Sequence, residues 1–195
     1  MTVDVKLLFL AGSTRAASHN KRLAQLGTEI ARVNGIESTF ADLNEYPMPL
    51  YHGDLEADQG PPDGAVRLKA LLSQHLGVFI VAPEYNASIT PLLKNSIDWV
   101  SRVRSADEAP LQVFRSRMFA LGSASPGGFG GMRGLIALRQ SLELGLGCHV
   151  LPEQISVSRA HDAFEDNGHL KDKGLMETYK SIIQKLARSA HVMHG

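Results

Sequence analysis

Several side chains suited to anion binding lie close together near the start of the chain. Ser13, Arg15, Ser18 and Asn20 supply two hydroxyls, a guanidinium and an amide. They follow an apolar run and precede an amphipathic segment, so they lie where a strand should meet a helix N-terminus, and such a junction can hold a phosphate. A helix cap needs only one of these residues, for example Ser18, so we favour a phosphate site over simple capping.

This first loop, residues 12–20, matches neither of two common nucleotide-binding patterns. It contains no G-x-x-x-x-G-K-[ST] sequence and no G-x-G-x-x-G sequence. A monophosphate cofactor is therefore expected rather than a nucleoside triphosphate.

A second loop, residues 83–88, could contact a flat heteroaromatic ring. Tyr85 offers an aromatic plane and Asn86 offers directional hydrogen bonds. Considered alone, the segment is equally well interpreted as an ordinary strand-to-helix turn, capped by Ser88 or Thr90.

A third loop, residues 122–131, is rich in glycine, which lets the backbone N–H groups approach a ligand closely. A hydrolase nucleophile would need G-x-S-x-G, which is not matched around Ser123 or Ser125. A dinucleotide fingerprint beginning at Gly128 would need a last glycine where Arg133 stands. A flexible surface loop is the simpler alternative.

The elements that would position these loops alternate between short apolar runs and amphipathic segments, as in an α/β protein with a parallel sheet. The pattern predicts strands at 5–11, 37–43, 77–85, 118–125 and 149–157. It predicts helices at 20–34, along Leu68–Leu76 to a stop at Gly77, at 90–103, at 131–146, and through Leu175 to Leu186. Residues 46–64 are too rich in proline and glycine for regular structure to be expected, and 104–116 is expected to be a polar loop. Ligands of doubly wound sheets bind beyond the carboxyl ends of the strands, where the three loops lie, and both the flavodoxin-like and Rossmann strand orders fit this pattern.

Composition narrows the class of protein. The 195 residues include 20 Lys+Arg and 20 Asp+Glu, a net charge of zero, which argues against nucleic-acid partners and a polybasic membrane surface. No apolar run approaches the ~18 residues of a membrane span. The single cysteine, Cys148, fits a reducing compartment, and we expect one cytoplasmic domain over residues 1–195. His191 and His194 have no third ligand in the sequence pattern and lie in a tail expected to fray, so no metal is expected.

Together the loops offer a phosphate cradle, an aromatic surface and a donor-rich edge, and the chain resembles the NAD(P)H-dependent FMN reductase family. This flavodoxin-like group includes azoreductase, quinone reductase and chromate reductase types. The similarity is carried by GSTRAASHNKRLA, PEYNASITPLLKNSIDWVSR and SASPGGFGGMRG, with weaker matches in PMPLYHGDLE and AFEDNGHLKDKGL. Thr14, Ala17 and Ser96 depart from residues that are common in the family.

The resemblance implies a flavodoxin-like sandwich with strand order 2-1-3-4-5 and a bound FMN. By position, the residues that would hold the FMN phosphate are Ser13, Arg15, Ser18 and Asn20. The residues that would line the isoalloxazine and ribityl chain are Pro83, Glu84, Tyr85 and Asn86. The residues that would flank the other side of the flavin are Ser123, Ser125, Gly127 and Gly128.

The activity implied is ping-pong hydride transfer from NADPH or NADH to quinones, azo compounds, chromate or flavin. No catalytic side chain is certain; Tyr85 is a candidate for stacking. The alternatives are a flavodoxin-type electron carrier, disfavoured by the zero net charge and by Arg15, and an α/β protein that binds another phosphorylated ligand.

A homodimer or homotetramer is expected from the wide apolar stripe of the helix at 90–103. The sheet should bury Leu93, Ile97 and Val100, which leaves Leu92, Ser96, Trp99 and Val103 for a second copy, while Asp98 pairs with Arg102. Phe129 and Arg104 are candidates to reach a partner's substrate pocket. The alternative is that the segment after Tyr46, or the one after Val103, covers this stripe within one chain.

Overall fold

Five parallel strands form the centre of the computed structural model, which describes residues 4–195. They are β1 (Lys6–Ala11), β2 (Glu37–Asp42), β3 (Gly77–Val81), β4 (Met118–Ala124) and β5 (His149–Val157). Their order is β2-β1-β3-β4-β5, and every neighbouring pair is parallel. This is the flavodoxin-like arrangement, so the predicted fold class is confirmed.

Helices cover both faces of the sheet. One face carries α1 (His19–Val33) and α7 (Lys173–His194), and the other carries α3 (Asp63–Ser73), α4 (Pro91–Arg102) and α6 (Met132–Gln140). Two short helices, α2 (Gly53–Gln59) and α5 (Gln112–Arg115), contribute side chains to the second face. A 3₁₀ turn spans Leu43–Glu45, and a π-helical turn at Ser141–Leu146 extends α6.

The strands are apolar on both sides because both of their faces are covered. Leu7 and Phe9 of β1 face α1 and α7, whereas Leu8 and Leu10 face the opposite helices. Phe9 stacks on Phe79 with ring centroids 5.6 Å apart. The sheet is therefore a rigid support whose carboxyl edge holds the three loops.

Two segments predicted to be irregular contain short helices. The 46–64 stretch includes α2 and the start of α3, and the 104–116 stretch includes α5. Helix α2 contains no buried residue, so it has no hydrophobic periodicity to detect. It begins at a cap that the sequence did not suggest, because the Nδ1 atom of His52 accepts from the N–H of Leu55 at 3.4 Å.

Three helix ends also differ from the prediction. Helix α3 ends at Ser73, and Gly77 is instead the first residue of β3, where a Cβ atom would lie 2.5 Å from Leu7 Cδ2. Regular α-helix stops at Gln140 rather than at 146. The last helix continues to His194 instead of fraying.

Part of the apolar stripe on α4 is covered within the chain, so the prediction that Ser96 and Trp99 are left for a second copy is wrong. Trp99 is fully buried, its Nε1 donates to the carbonyl of Pro49 at 2.7 Å, and its ring meets Tyr51 edge-on at 5.0 Å. The predicted pairing of Asp98 with Arg102 is also wrong, because Lys94 binds Asp98 and Glu56 of α2 binds Arg102.

Within residues 4–195, no helix combines the length and the apolar character that a membrane crossing requires. Cys148 is buried, and this burial raises the pKa of its thiol to about 12, so the thiolate is not available as a nucleophile at neutral pH.

Candidate functional site

The first loop joins the end of β1 to the N-terminus of α1 and is anchored at both ends. At its start, the N–H of Gly12 donates to Val81 O at 2.9 Å, and the hydroxyl of Thr90 donates to Gly12 O at 2.8 Å. At its end, Ser18 is the N-cap of α1, and its Oγ accepts from the N–H groups of Asn20 and Lys21. The capping interpretation of Ser18 is therefore confirmed, and its hydroxyl donates to no atom of residues 4–195.

Between these anchors the loop presents donors without acceptors. In the part of the chain that the structure describes, the N–H groups of Thr14, Ala16 and Ala17 donate to no protein atom. The first turn of α1 contains no acidic residue. Arg15 is exposed and forms no ion pair with the described residues, and Ser13 is buried beside it. This combination of free N–H groups, helix dipole and free guanidinium is suited to an anion.

An imidazole and an aromatic ring pack together at the same helix end. The ring of His19 lies parallel to that of Phe164, with centroids 6.4 Å apart. Burial lowers the pKa of His19, and the charges of Arg15, His161 and Arg22 lower it further. Neither His19 nor His161 was among the predicted site residues, although Phe164 lies in the segment AFEDNGHLKDKGL that resembles the family.

Asn20 faces away from the open side of this loop. Its Nδ2 donates to Ala124 O at 2.8 Å, its Oδ1 accepts from Ala124 N–H at 2.9 Å, and the residue is buried. The side chain thus replaces a strand partner at the end of β4. Asn20 joins the first loop to the third loop, so any effect on a phosphate is indirect.

The second loop forms a tight turn after β3. Tyr85 and Ser88 exchange two backbone hydrogen bonds of 2.9 Å, and both residues between them, Asn86 and Ala87, have positive φ, as in a type I′ turn. Pro83 is buried at the end of the strand, whereas the ring of Tyr85 is half-exposed. Thr90 caps α4 as predicted, with its Oγ1 accepting from Leu93 N–H at 3.3 Å.

Glu84 lies between the second and third loops rather than in open solvent. Its Oε2 accepts from the N–H groups of Arg133 and Gly134 at 3.1 and 3.2 Å, and its Oε1 forms an ion pair with the Arg133 guanidinium. Burial alone would raise the pKa of Glu84, but these hydrogen bonds outweigh it and hold the pKa below its usual value. The carboxylate is therefore charged and fully engaged.

The third loop is held from below by the turn that follows β5. Ser125 N–H donates to Val157 O at 3.0 Å, and Ser125 O accepts from Ala160 N–H at the same distance. Gly127 and Gly128 are exposed at the top of the loop. Among residues 4–195, the N–H groups of Gly128, Phe129 and Gly131 meet no protein acceptor.

Ser123 lies behind this loop and not at its open edge. The residue is fully buried within β4, directly beneath Gly131, and its Oγ has no hydrogen-bond partner in the described range. Ser125 lies at the surface of the same loop, where its Oγ accepts from Gly127 N–H at 3.3 Å. Of the four residues predicted on this side, Ser123 supports the loop from inside, whereas Ser125, Gly127 and Gly128 lie at its surface.

A groove of about 880 Å³ adjoins the first loop on the side of β2. It is lined by Thr14, Ala17, Lys21, Asp42 and Asn44, together with the turn at 166–168, and it includes no residue of the second or third loop. The second and third loops therefore lie outside this groove. No group of three His, Cys, Asp or Glu side chains that could hold a metal occurs among the described residues.

Known proteins are similar to this chain over nearly its whole length. Residues 5–162 match a family described as NADPH-dependent FMN reductase. An NAD(P)H-dependent FMN reductase from Pseudomonas aeruginosa is 33% identical over 187 residues, which cover 95% of each chain. A quinone reductase from Pseudomonas putida is 33% identical over 165 residues, covering 84% of this chain and 83% of that protein. The solved structure of FerB, a flavoenzyme NAD(P)H:acceptor oxidoreductase from Paracoccus denitrificans, has a TM-score of 0.79 at 24% identity and covers 98% of this chain and 99% of that one, which shows a common fold.

Proposed function

Because the chain belongs to the NADPH-dependent FMN reductase family, we propose that it binds FMN across the three loops and passes two electrons from NADPH or NADH to a small-molecule acceptor. Quinones are the first acceptor class to test, since a relative of 33% identity is a quinone reductase. The observation that carries the proposal is the set of unpaired backbone donors on the first and third loops, on either side of the half-exposed ring of Tyr85.

The first loop fits the phosphate of FMN. A phosphate needs several short hydrogen bonds and positive charge, and the loop offers the N–H groups of Thr14, Ala16 and Ala17 together with the guanidinium of Arg15. The hydroxyls of Ser13 and Ser18 can donate to the same group. Asn20 supports this site through its bonds to Ala124.

The other two loops fit the ring system. The N–H groups of Gly128, Phe129 and Gly131 can donate to the polar edge of a flavin, and Tyr85 offers an aromatic surface for stacking. Pro83 follows the end of β3, and Asn86 lies in the turn of the second loop. Gly127 has no side chain that would cover the exposed edge of the third loop.

The protein's contribution is binding, orientation and electrostatics. When bound, FMN supplies the hydride chemistry, which needs no acid or base from the protein. The third-loop N–H groups would stabilise negative charge that develops on the ring edge, as in an oxyanion hole. Glu84 is charged and already bonded, so it is not a proton donor, and we assign Tyr85 to stacking.

The test is an anaerobic assay with purified protein, FMN, NADPH and a benzoquinone. We expect FMN to bind, NADPH and quinone to be consumed one to one, and double-reciprocal plots at several quinone concentrations to be parallel. A protein that binds FMN but oxidises no nicotinamide would support the electron-carrier alternative. A protein that leaves the FMN spectrum and fluorescence unchanged would refute the flavin site itself.

We also propose that the enzyme is a cytoplasmic homodimer or homotetramer. Burial of Trp99 weakens the argument for self-association through α4, whereas Phe129 of the third loop and Met132 and Ile136 of α6 are exposed. Sedimentation equilibrium at micromolar concentration tests this, and a mass that stays at 21.2 kDa would exclude it.

A further inference from the structure

We propose that Glu84 is a positioning residue whose carboxylate caps α6 and thereby fixes the backbone donors of the third loop. The inference rests on the proposed function only in assigning those donors to a flavin. The contact between Glu84 and the start of α6, which we call the Glu84 clamp, is a property of the chain and can be measured without a ligand.

Helix α6 lacks a cap of its own. The residue at its N-cap is Gly131, which has no side chain, and its first turn contains no acidic residue. The N–H groups of Arg133 and Gly134 would therefore be unpaired at the positive end of the helix dipole. Glu84 accepts from both, although it lies 49 and 50 residues earlier in the chain.

The start of α6 packs so closely on the second loop that the second loop fixes the position of the third. A Cβ atom at Gly134 would lie 3.1 Å from both Glu84 Cβ and Ser88 O, so α6 rests directly on the second loop. A Cβ atom at Gly131 would lie 2.7 Å from Ser123 Cβ, so the loop also rests directly on β4. Glycine is required at position 131 for two reasons. A side chain would collide with Ser123, and the φ of 85° is one that other residues rarely adopt. Both contacts hold the helix start in one place.

The same carboxylate also balances a charge at the rim of the site. Arg133 forms an ion pair with Glu84 and lies over the ring of exposed Phe129, 5.2 Å from its centroid. Loss of the carboxylate would leave the guanidinium uncompensated. Loss of the guanidinium would leave the carboxylate uncompensated while the backbone cap is retained. The two substitutions should therefore change the local field in opposite directions.

The first experiment measures amide hydrogen exchange in flavin-free protein. Glu84→Ala should accelerate exchange at the hydrogen-bonded amides of residues 132–134 by about tenfold or more, because a charged acceptor for two of these N–H groups is lost. Exchange in α7 should not change. Glu84→Gln keeps one acceptor oxygen and should restore most of the protection. The matched control is Glu143→Gln, which breaks an ion pair with Arg139 at the far end of α6.

Two results of this experiment would overturn the clamp. One is unchanged exchange at residues 132–134 in Glu84→Ala. The other is equal acceleration through the whole protein, which would mean that Glu84 contributes only to global stability.

The second experiment measures the midpoint potential of bound flavin. Glu84→Gln should raise it, because an unpaired Arg133 favours the more negative reduced form, and Arg133→Ala should lower it. Shifts of the same sign, or none, would contradict the electrostatic role. If the wild type binds no FMN, the proposed function fails, while the exchange experiment still decides whether the clamp exists.

Discussion

Arg15 is the residue that should matter most for the phosphate, because it is the exposed cation of the first loop that no described carboxylate neutralises. Arg15→Ala should weaken FMN binding by about 1.5–3 kcal/mol, the usual loss for a charged hydrogen bond. Quenching of flavin fluorescence during titration measures the change.

Riboflavin and a distant arginine provide the controls for Arg15. Riboflavin lacks the phosphate, so its affinity should be low and nearly the same with and without Arg15. Arg188→Ala, an exposed substitution on α7, should leave FMN binding unchanged. Wild-type FMN affinity in Arg15→Ala would refute the phosphate assignment.

The roles of some single residues could be predicted from the sequence, and those of others could not. The position of the first loop at a helix N-terminus was predictable, because Ser13, Arg15 and Ser18 are neighbours between an apolar run and an amphipathic one. The roles of Asn20 and Glu84 were not, since their partners lie 104 and 49 residues away and depend on how the loops meet in space. Ser123 lies inside a strand end, and only the structure shows which way its hydroxyl points.

At the scale of elements, all five strands and the helices that cover the sheet follow from hydrophobic patterning. Long amphipathic helices have a buried stripe to detect, whereas α2 has none and α5 contains only four residues. Helix ends depend on tertiary contacts, as with Gly77, which belongs to β3 because it pairs with Leu7 of β1 and Met118 of β4.

Gly27 gives a prediction about how α1 packs on the sheet. A Cβ atom there would lie 2.6 Å from Phe9 Cε1 and would also collide with the hydroxyl of Tyr179, which donates to Leu23 O. Alanine favours helices by about 1 kcal/mol, but overpacking of this kind typically costs about 1–3 kcal/mol. Gly27→Ala should therefore lower the free energy of unfolding in urea.

Two further variants separate the clash at Gly27 from other causes. In a Tyr179→Phe background the cost of Gly27→Ala should be smaller, because one of the two obstacles is gone. Gly145→Ala, at an exposed site where a Cβ would meet nothing, should be neutral or stabilising. An equal cost of Gly27→Ala in both backgrounds would show that the hydroxyl is not the obstacle.

At the scale of the whole molecule, His75 couples stability to pH. A carbonyl can only accept, so Nδ1 carries the proton donated to Leu71 O, and Nε2 accepts from the Thr39 hydroxyl. Burial lowers the pKa of His75 below that of the unfolded chain, although the Leu71 bond opposes this. The unfolded state therefore binds more protons, and stability present above pH ~6.5 is lost as the pH falls toward the folded pKa.

Urea unfolding between pH 8 and pH 5 measures this coupling. His75→Gln should flatten the decline, and His19, whose pKa is also lowered, should account for part of what is left. Carboxylates with lowered pKa, such as Glu84, lose their contribution only nearer pH ~4.3, outside this window. A decline of the same slope in His75→Gln would assign the effect to other groups.

The packing of residues 49–51 on α4 leads to a prediction about stability and assembly. Pro49 O accepts from both Trp99 Nε1 and Asn95 Nδ2, and Tyr51 N–H donates to Asn95 Oδ1, so the segment at 49–51 is bonded along the helix. Trp99→Phe removes one of these bonds and leaves a small void, which should lower the free energy of unfolding by about 1–3 kcal/mol. Because Trp99 is buried within one chain, the sedimentation mass should equal that of the wild type at every concentration at which both are folded. A variant that keeps its stability but loses mass would show that Trp99 contacts a second copy after all.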